Sequence, residues 1–129
     1  MPAQTTKKDV QSKTETLVRE MLARVADKWT LMVIFELGEG ELRFTRLQEK
    51  IGGVSQKMLT KTLRQLERDG LVTRQVFPVV PPHVEYKLTP LGESLGETLC
   101  PIWIWVEKHV DEVERFRKSF DGSRKKASA

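Results

Sequence analysis

Four basic side chains in the middle of the chain recur at helical spacing, and their chemistry is that of anion binding. Lys57, Lys61, Arg64 and Arg68 are separated by four, three and four positions, which places them in one stripe on a helix. The opposite face of that helix carries three leucines, Leu59, Leu63 and Leu66. Like charges one turn apart cost an isolated helix about 0.2–0.5 kcal/mol per pair. A polyanion along the stripe would offset that repulsion, whereas the plainer interpretation is a solvated surface.

Short polar side chains border the stripe and add groups that can read base edges. The DNA major groove admits an α-helix, and Arg, Lys and Gln match the acceptors that it presents. Ser55 is a typical N-cap and Gly70 a typical residue just past a helix end, so they bound the predicted recognition helix. Its predicted DNA-binding residues are Ser55, Gln56, Lys57, Thr60, Lys61, Arg64 and Arg68.

The distribution of charge favours an acidic partner for the same region. The 129-residue chain has 22 Lys and Arg against 18 Asp and Glu, a net charge of +4. Nine basic and five acidic residues lie between Glu41 and Thr89, so this segment alone accounts for the whole excess. With 31% charged and 39% hydrophobic residues, the composition is that of an ordered domain. The length indicates one domain and disfavours a two-domain enzyme.

Apolar periodicity and cap residues predict the elements that must position these side chains. Asp27, Thr45 and Ser55 are predicted N-caps, and Gly52 or Gly53 is predicted to take a positive φ in the turn before Ser55. The predicted order is helix 15–26, buried helix 28–37, extended segment 42–44, helix 45–50, helix 55–69, strand 71–77, strand 84–89 and a C-terminal helix from 90 to about 120, interrupted at Pro101. Two short helices joined by a glycine turn and followed by a hairpin form a winged helix-turn-helix.

The predicted fold class is therefore α+β, mostly α, a winged helix-turn-helix with extra N- and C-terminal dimerisation helices. The predicted division of the chain is a flexible N-terminus (1–13), a winged-helix DNA-binding domain (14–100), a C-terminal dimerisation helix (101–120) and a disordered basic tail (121–129).

Residues outside the recognition helix extend the predicted DNA contact. Arg43, Arg46 and Lys50 precede it and are predicted to contact flanking phosphates. Pro82 and His83 lie at the hairpin tip, which we expect to approach the adjacent backbone or minor groove. Taken individually, each of the three basic residues fits a plain surface position better than a DNA contact. His83 has no partner near it in the sequence, so no metal site is predicted there.

A long apolar stripe on the C-terminal helix predicts a dimer. Six residues from Ile102 to Phe120 follow a spacing of four, three, four, three and four, which is a heptad-like pattern typical of helix pairing. Part of this stripe is also compatible with packing against the first helix of the same chain. The predicted dimer-interface residues are Leu17, Met21, Ile102, Trp105, Val106, His109, Val113 and Phe116.

Other classes of function find little support in the sequence. The single Cys100 excludes an intramolecular disulfide and a zinc site built from cysteines. No apolar run approaches the length of about 20 residues that spans a bilayer, and the N-terminus has no signal-peptide core. No catalytic motif, phosphate-binding glycine loop or metal-ligand spacing is present. We therefore expect a cytoplasmic protein without enzymatic activity, cofactor or bound metal.

Several short motifs run along the predicted domain. They are Lys28-Trp29-Thr30, Arg43-Phe44, the run GVSQKMLT from Gly53 to Thr60, the run LRQLERDGLV from Leu63 to Val72, the run VPPHVEY from Val80 to Tyr86, Leu88-Thr89 and Leu91-Gly92. With these motifs, the chain resembles the HxlR-type winged helix-turn-helix transcription regulators of bacteria and archaea over about residues 17–110. The Ser-Gln-Lys-Met-Leu run together with Pro-Pro-x-Val-Glu-Tyr is highly specific for that family.

The resemblance implies a homodimer that binds a palindromic operator, with the helix from Ser55 in the major groove and the hairpin as the wing. Two departures from the family pattern stand out. Many relatives have Cys-Pro just before the first helix, and some use that cysteine as a redox switch. Thr16 and Leu17 occupy those places here, so that switch is not available. His83 stands where arginine is more usual, which implies a weaker contact by the wing.

The predicted function is that of a sequence-specific DNA-binding transcriptional regulator acting as a repressor. Its partners would be double-stranded DNA with a palindromic operator and a second copy of the chain. The sequence leaves room for a small-molecule effector but gives no chemistry for it. The alternative is a winged-helix protein-interaction module without specific DNA binding, for which Trp103 and Trp105 would supply the contact surface.

Overall fold

A computed structural model describes residues 6–128, with side chains over residues 6–125. The chain divides into two compact units between Glu93 and Ser94. Its elements are α1 (Lys7–Val25), α2 (Lys28–Leu37), β1 (Leu42–Arg43), α3 (Phe44–Ile51), α4 (Gln56–Arg68), β2 (Val72–Phe77), β3 (His83–Leu88) and α5 (Pro90–Ser128). None of the helices in the described range is long and apolar enough to cross a membrane.

The strands form one antiparallel sheet in the order β1-β3-β2. Leu42 lies opposite Tyr86, and the hairpin register runs from Val72 opposite Leu88 to Phe77 opposite His83. A helix-turn-helix of α3 and α4 followed by this hairpin, which we call the wing, is a winged helix-turn-helix. The predicted fold class, α+β and mostly α, is confirmed.

The core of the first unit lies where α2, α3, α4 and the base of the sheet meet. It is made of aliphatic side chains and one tyrosine: Val33, Ile34, Leu37, Leu47, Val54, Leu59, Leu63, Leu66, Leu71, Val72, Tyr86 and Leu88. Asp27 caps α2 as predicted, because its carboxylate accepts hydrogen bonds from the backbone N–H groups of Trp29 and Thr30. The prediction that α2 is central is confirmed, although Met32 leaves one side of it exposed.

Helix α1 begins at Lys7, well before the predicted start at Glu15. Thr6 and Asp9 form a capping box in which the Thr6 hydroxyl accepts from the Asp9 N–H and the Asp9 carboxylate accepts from the Thr6 N–H. A further hydrogen bond from the Thr6 hydroxyl helps to lower the pKa of Asp9. The predicted flexible N-terminus is therefore helical over residues 7–13, and residues 1–5 lie outside the described range.

The starts and ends of two other helices differ from the prediction. Helix α3 begins at Phe44 after an extended Arg43, so Thr45 is not its N-cap.

Helix α5 continues through Pro101 to Ser128 instead of breaking and then ending near Phe120. Proline removes the hydrogen bond to the carbonyl four residues earlier, and its ring crowds that carbonyl. That carbonyl belongs to the exposed Glu97, where water can replace the lost bond. The predicted disordered tail is helical from 121 to 128. Arg and Lys are good helix formers, and their positive charge is favourable near the C-terminus of a helix. Residue 129 lies outside the described range.

Gly92, in the first turn of α5, is expected to tolerate substitution poorly. A Cβ atom there would stand 2.0 Å from the carbonyl oxygen of Leu71, a backbone atom that already accepts a hydrogen bond from the Thr89 N–H. We expect Gly92→Ala to lower the free energy of unfolding by about 3 kcal/mol, the upper end of overpacking costs. Urea denaturation followed by circular dichroism measures this change.

Gly122→Ala is the matched control, because nothing lies within 4 Å of its Cβ position and alanine is the better helix former. We expect this variant to be as stable as the wild type or slightly more stable. Equal stability of the two variants would show that the Leu71 carbonyl can move away without cost.

Candidate nucleic-acid interface

Helix α4 is held by its two ends and by its leucine face. The Ser55 hydroxyl accepts a hydrogen bond from the Met58 N–H at 3.1 Å, which confirms Ser55 as the N-cap. Gly52 and Gly53 have φ of 69° and 74°, and Gly70 after the helix has φ of 75°. These backbone conformations favour glycine and make the tight turns at both ends of α4. The opposite face is fixed in the core by Leu59, Leu63 and Leu66, which are all buried.

The C-terminal end of α4 is tied to α1 by an ion pair. The Arg24 Nε lies 3.0 Å from the Asp69 carboxylate, and both side chains are half-buried. Because Asp69 is the C-cap residue of α4, this contact fixes the direction of the helix as well as its position. The orientation of the exposed face of α4 therefore depends on packing that does not involve the basic stripe.

The basic stripe is exposed and has no neutralising partner in the described part of the chain. Lys57, Lys61, Arg64 and Arg68 are all exposed on the side away from the leucines. None of them is in an ion pair with a described Asp or Glu, whereas Arg24, Arg43 and Arg46 each have an acidic partner. The four charges are thus held on one rigid surface, which is an arrangement suited to a polyanion.

A groove runs between α4 and the wing. Helix α4 lines it with Gln56, Thr60, Arg64 and Glu67, and the wing lines it with Arg74, Pro82, His83, Val84 and Tyr86. Arg43 at the end of β1 and Phe44 and Thr45 at the start of α3 also line it. Of the four residues of the predicted stripe, Arg64 lines this groove. Lys57, Lys61 and Arg68 line the outer surface of α4 instead, and Arg68 also lines a concavity beside α1.

Thr60 has a restricted hydrogen-bonding capacity in this groove. Its hydroxyl donates to the carbonyl of Gln56 within the helix, at 2.7 Å. The side chain therefore offers a ligand its methyl group and an acceptor lone pair, but no hydrogen. That combination suits the methyl group of thymine or an exocyclic amino group of a base.

Arg74 is a groove residue that the sequence reasoning did not single out. It lies opposite Tyr86 in the hairpin and two positions after the buried Val72. Alternate residues of a strand share a face, so Arg74 projects from the side of the wing that faces the core and α4. The alternation from Val72 was a usable signal, because it predicts that the next residue on the core face is an arginine.

The wing places His83 differently from the predicted tip position. His83 is the first residue of β3, stacks on Phe77 with ring centroids 4.8 Å apart, and has its Nε2 3.4 Å from the Glu85 carboxylate. The same carboxylate lies 3.9 Å from the Arg43 Nε. The outermost part of the wing is apolar instead, since Val80 is 99% exposed.

The remaining predicted backbone contacts are dispersed. Arg46 is exposed on α3 and pairs with Glu49 at 3.3 Å, and Lys50 is exposed at the end of the same helix. Neither lines the groove, although Arg43 and Pro82 do. Of the basic residues predicted to support α4, the structure thus brings only Arg43 and His83 to the groove.

The predicted interface residues of α5 form a largely exposed apolar surface in the second unit. Ile102, Trp105, Val106 and Phe116 are exposed, with Phe116 at 71%. The remaining two, His109 and Val113, are half-buried. His109 stacks on Trp105 with centroids 4.5 Å apart, and its Nδ1 lies 2.7 Å from the Trp105 carbonyl oxygen.

The first helix shows a similar excess of exposed apolar surface. Helix α1 has no buried residue over its 19 positions. Leu17, Val18 and Leu22 are exposed, and Met21 is half-buried. Helices in proteins gain most of their stability by burying an apolar face, so each of these two helices presents a face of the kind that a partner covers.

Comparison with known proteins gives a consistent result. A family model described as HxlR-like helix-turn-helix matches residues 24–114. The chain is 48% identical over 95 residues to the uncharacterized HTH-type transcriptional regulator YtfH of Escherichia coli (strain K12), which covers 74% of this chain and 75% of that protein. It is 43% identical over 81 residues to an uncharacterized HTH-type transcriptional regulator of the archaeon Methanothermobacter thermautotrophicus, over 63% of this chain and 62% of that one.

A solved structure of the ytfH protein of Salmonella typhimurium is also similar. It has 42% sequence identity and a TM-score of 0.73, and the match covers 78% of this chain and 90% of that chain.

Proposed function

Because the chain belongs to the HxlR-like helix-turn-helix family of transcriptional regulators, we propose that it binds a palindromic operator as a homodimer, reads it with α4 and acts as a repressor. The proposed DNA-binding residues of α4 are Ser55, Gln56, Lys57, Thr60, Lys61, Arg64 and Arg68. Arg43, Arg46, Lys50, Pro82 and His83 are proposed to support them at the backbone and the wing.

The observation that carries this proposal is the two-sided character of α4. One side is buried through leucines, and the other holds four cations that no described acid neutralises. A helix of this kind fits the major groove, where cations contact phosphates and acceptors on guanine. Gln56 and Thr60 would add base readout from the first turns of the helix.

The exposed apolar faces of α1 and α5 support the proposed dimer and its symmetry. A second copy of the chain is the partner proposed to cover them, since each copy carries the same surface and a two-fold pair is the commonest closed assembly. Two copies of α4 would then read half-sites about one helical turn apart, so the operator would be palindromic. A dimer seated on promoter DNA blocks access to it, which is the basis for proposing repression.

Lys61→Ala is expected to weaken binding to the DNA upstream of the protein's own gene and to lower its dependence on salt. A lysine that contacts phosphate releases about one counterion, so the slope of log affinity against log salt should fall in magnitude by about 1 per recognition helix. Fluorescence anisotropy titrations at two or more salt concentrations measure both quantities.

Lys108→Ala, which removes an exposed lysine of α5, is the control and should leave the slope unchanged. An affinity that is insensitive to salt in the wild type and unaffected by Lys61→Ala would refute DNA binding through α4.

A protein-interaction module remains the second candidate, because Trp103 and Trp105 are both more than half exposed on α5. Exposed tryptophans are typical anchors of protein interfaces. The two functions are separated by a direct comparison: a regulator shifts its upstream DNA, whereas the module would leave the same DNA unshifted at every salt concentration.

A further inference from the structure

We infer that Arg74, in the wall of the groove between α4 and the wing, binds a phosphate of the DNA strand that passes there. This inference rests on the proposed function and adds a residue and a ligand chemistry to it. Arg74 belongs to none of the residues proposed above as DNA contacts.

The path of the strand follows from the shape of the duplex. A helix that lies in the major groove has a sugar-phosphate strand on each side, and beyond each strand is the minor groove. The wing stands beside α4 and is separated from it by a groove of about 670 Å³. With α4 in the major groove, the strand that borders the neighbouring minor groove must pass between α4 and the wing.

The charges that line this groove match a phosphodiester strand. Arg74 lines it from the wing, Arg43 from the end of β1, and Arg64 from α4, where Arg64 also lines the outer surface of the helix. Glu67 is the acid that lines the same surface. Arg43 lies near Glu85, whereas Arg64 and Arg74 are in no ion pair with any acid in the described part of the chain. The two unpaired arginines thus face one groove from opposite walls.

Arg74 is also rigidly presented. Its backbone lies in the hairpin ladder opposite Tyr86, which is buried in the core. The guanidinium group carries several N–H donors in a plane and matches phosphate oxygens in a bidentate manner. An arginine whose backbone is already fixed loses less freedom on binding than one on a mobile loop.

Lys87 provides a matched control on the same wing. It lies in β3 opposite Thr73 and is exposed. It lies next to Tyr86 in the strand, so it projects from the other face of the sheet. It carries the same charge as Arg74 but does not line the groove.

The test compares Arg74→Gln, Arg74→Lys and Lys87→Gln in the full chain, by anisotropy titration against the upstream duplex and a scrambled duplex over a range of salt. We expect Arg74→Gln to weaken binding to both duplexes by a similar factor of about ten, the size of one charged hydrogen bond. The slope of log affinity against log salt concentration should fall in magnitude by about 1 for each copy of the chain. Arg74→Lys should keep the slope, and Lys87→Gln should behave as the wild type.

Three results would overturn the inference while leaving the proposed function intact. The first is an Arg74→Gln variant with the affinity and salt dependence of the wild type. The second is an equal loss of affinity in Arg74→Gln and Lys87→Gln. The third is a loss of affinity in Arg74→Gln for the upstream duplex alone, which would make Arg74 a base-reading residue. A wild-type protein that binds neither duplex would overturn the proposed function as well. Circular dichroism of each variant verifies that the exposed substitution leaves the fold unchanged.

Discussion

Replacing Val106 by glutamate is expected to convert the proposed dimer to a monomer and to weaken binding to the proposed operator by about 100-fold or more. Val106 lies within the apolar surface of α5 and is 49% exposed in the single chain. Burying a carboxylate in an interface without a partner is strongly unfavourable. A monomer also lacks the gain in affinity that comes from linking two copies of α4 on one DNA molecule. That gain amounts to about 100-fold to 10,000-fold.

Sedimentation equilibrium and operator titration together measure this effect. Ile104→Glu is the matched control, because Ile104 is an exposed aliphatic residue about 160° around the same helix from Val106. We expect Ile104→Glu to remain a dimer with wild-type affinity for the operator. A dimeric Val106→Glu variant and a monomeric Ile104→Glu variant would place the dimer seam on the other side of α5.

The second large effect is expected at Arg64, the stripe residue that faces both the wing and the outer surface of α4. Arg64→Ala should weaken specific binding by about 10-fold to 100-fold, which corresponds to losing one bidentate contact to guanine. Arg64→Lys retains the charge but not the planar pair of donors. We therefore expect Arg64→Lys to lose most of the preference for the operator while its binding to scrambled DNA stays near that of the wild type.

The ratio of specific to non-specific affinity at one fixed salt concentration is the quantity that decides this prediction. Arg68 offers a comparison on the same stripe, because it lines only the outer surface of α4 and a neighbouring concavity near α1. Arg68→Lys should leave the ratio unchanged. Full operator preference in Arg64→Lys would mean that Arg64 contributes only its charge.

Much of the fold and of α4 could be predicted from the sequence, because local rules decide them. The leucine and cation spacings of residues 55–69, the N-cap Ser55 and the positive φ of Gly70 act within a few residues of one another. In each case the residue type permits few other local backbone conformations. The predicted helix and the observed helix therefore agree.

The parts that the sequence did not predict depend on partners that are distant in sequence or on competing rules. The groove role of Arg74 arises only when β2 pairs with β3 and faces α4. The position of His83 reflects stacking on Phe77 and the nearby Glu85, not its place in a proline-rich run. The continuity of α5 through Pro101 shows that a proline in an exposed helix removes one hydrogen bond without ending the helix.

Chemical footprinting of the upstream duplex tests most directly whether α4 reads the major groove. Dimethyl sulfate methylates the N7 of guanine, which lies in that groove, and hydroxyl radicals report on the sugar-phosphate backbone. We expect the wild-type protein to protect guanine N7 atoms in two clusters about 10 base pairs apart, with backbone protection beside each cluster. A bound complex that protects the backbone but leaves every guanine N7 within the footprint open to methylation would contradict major-groove reading by α4.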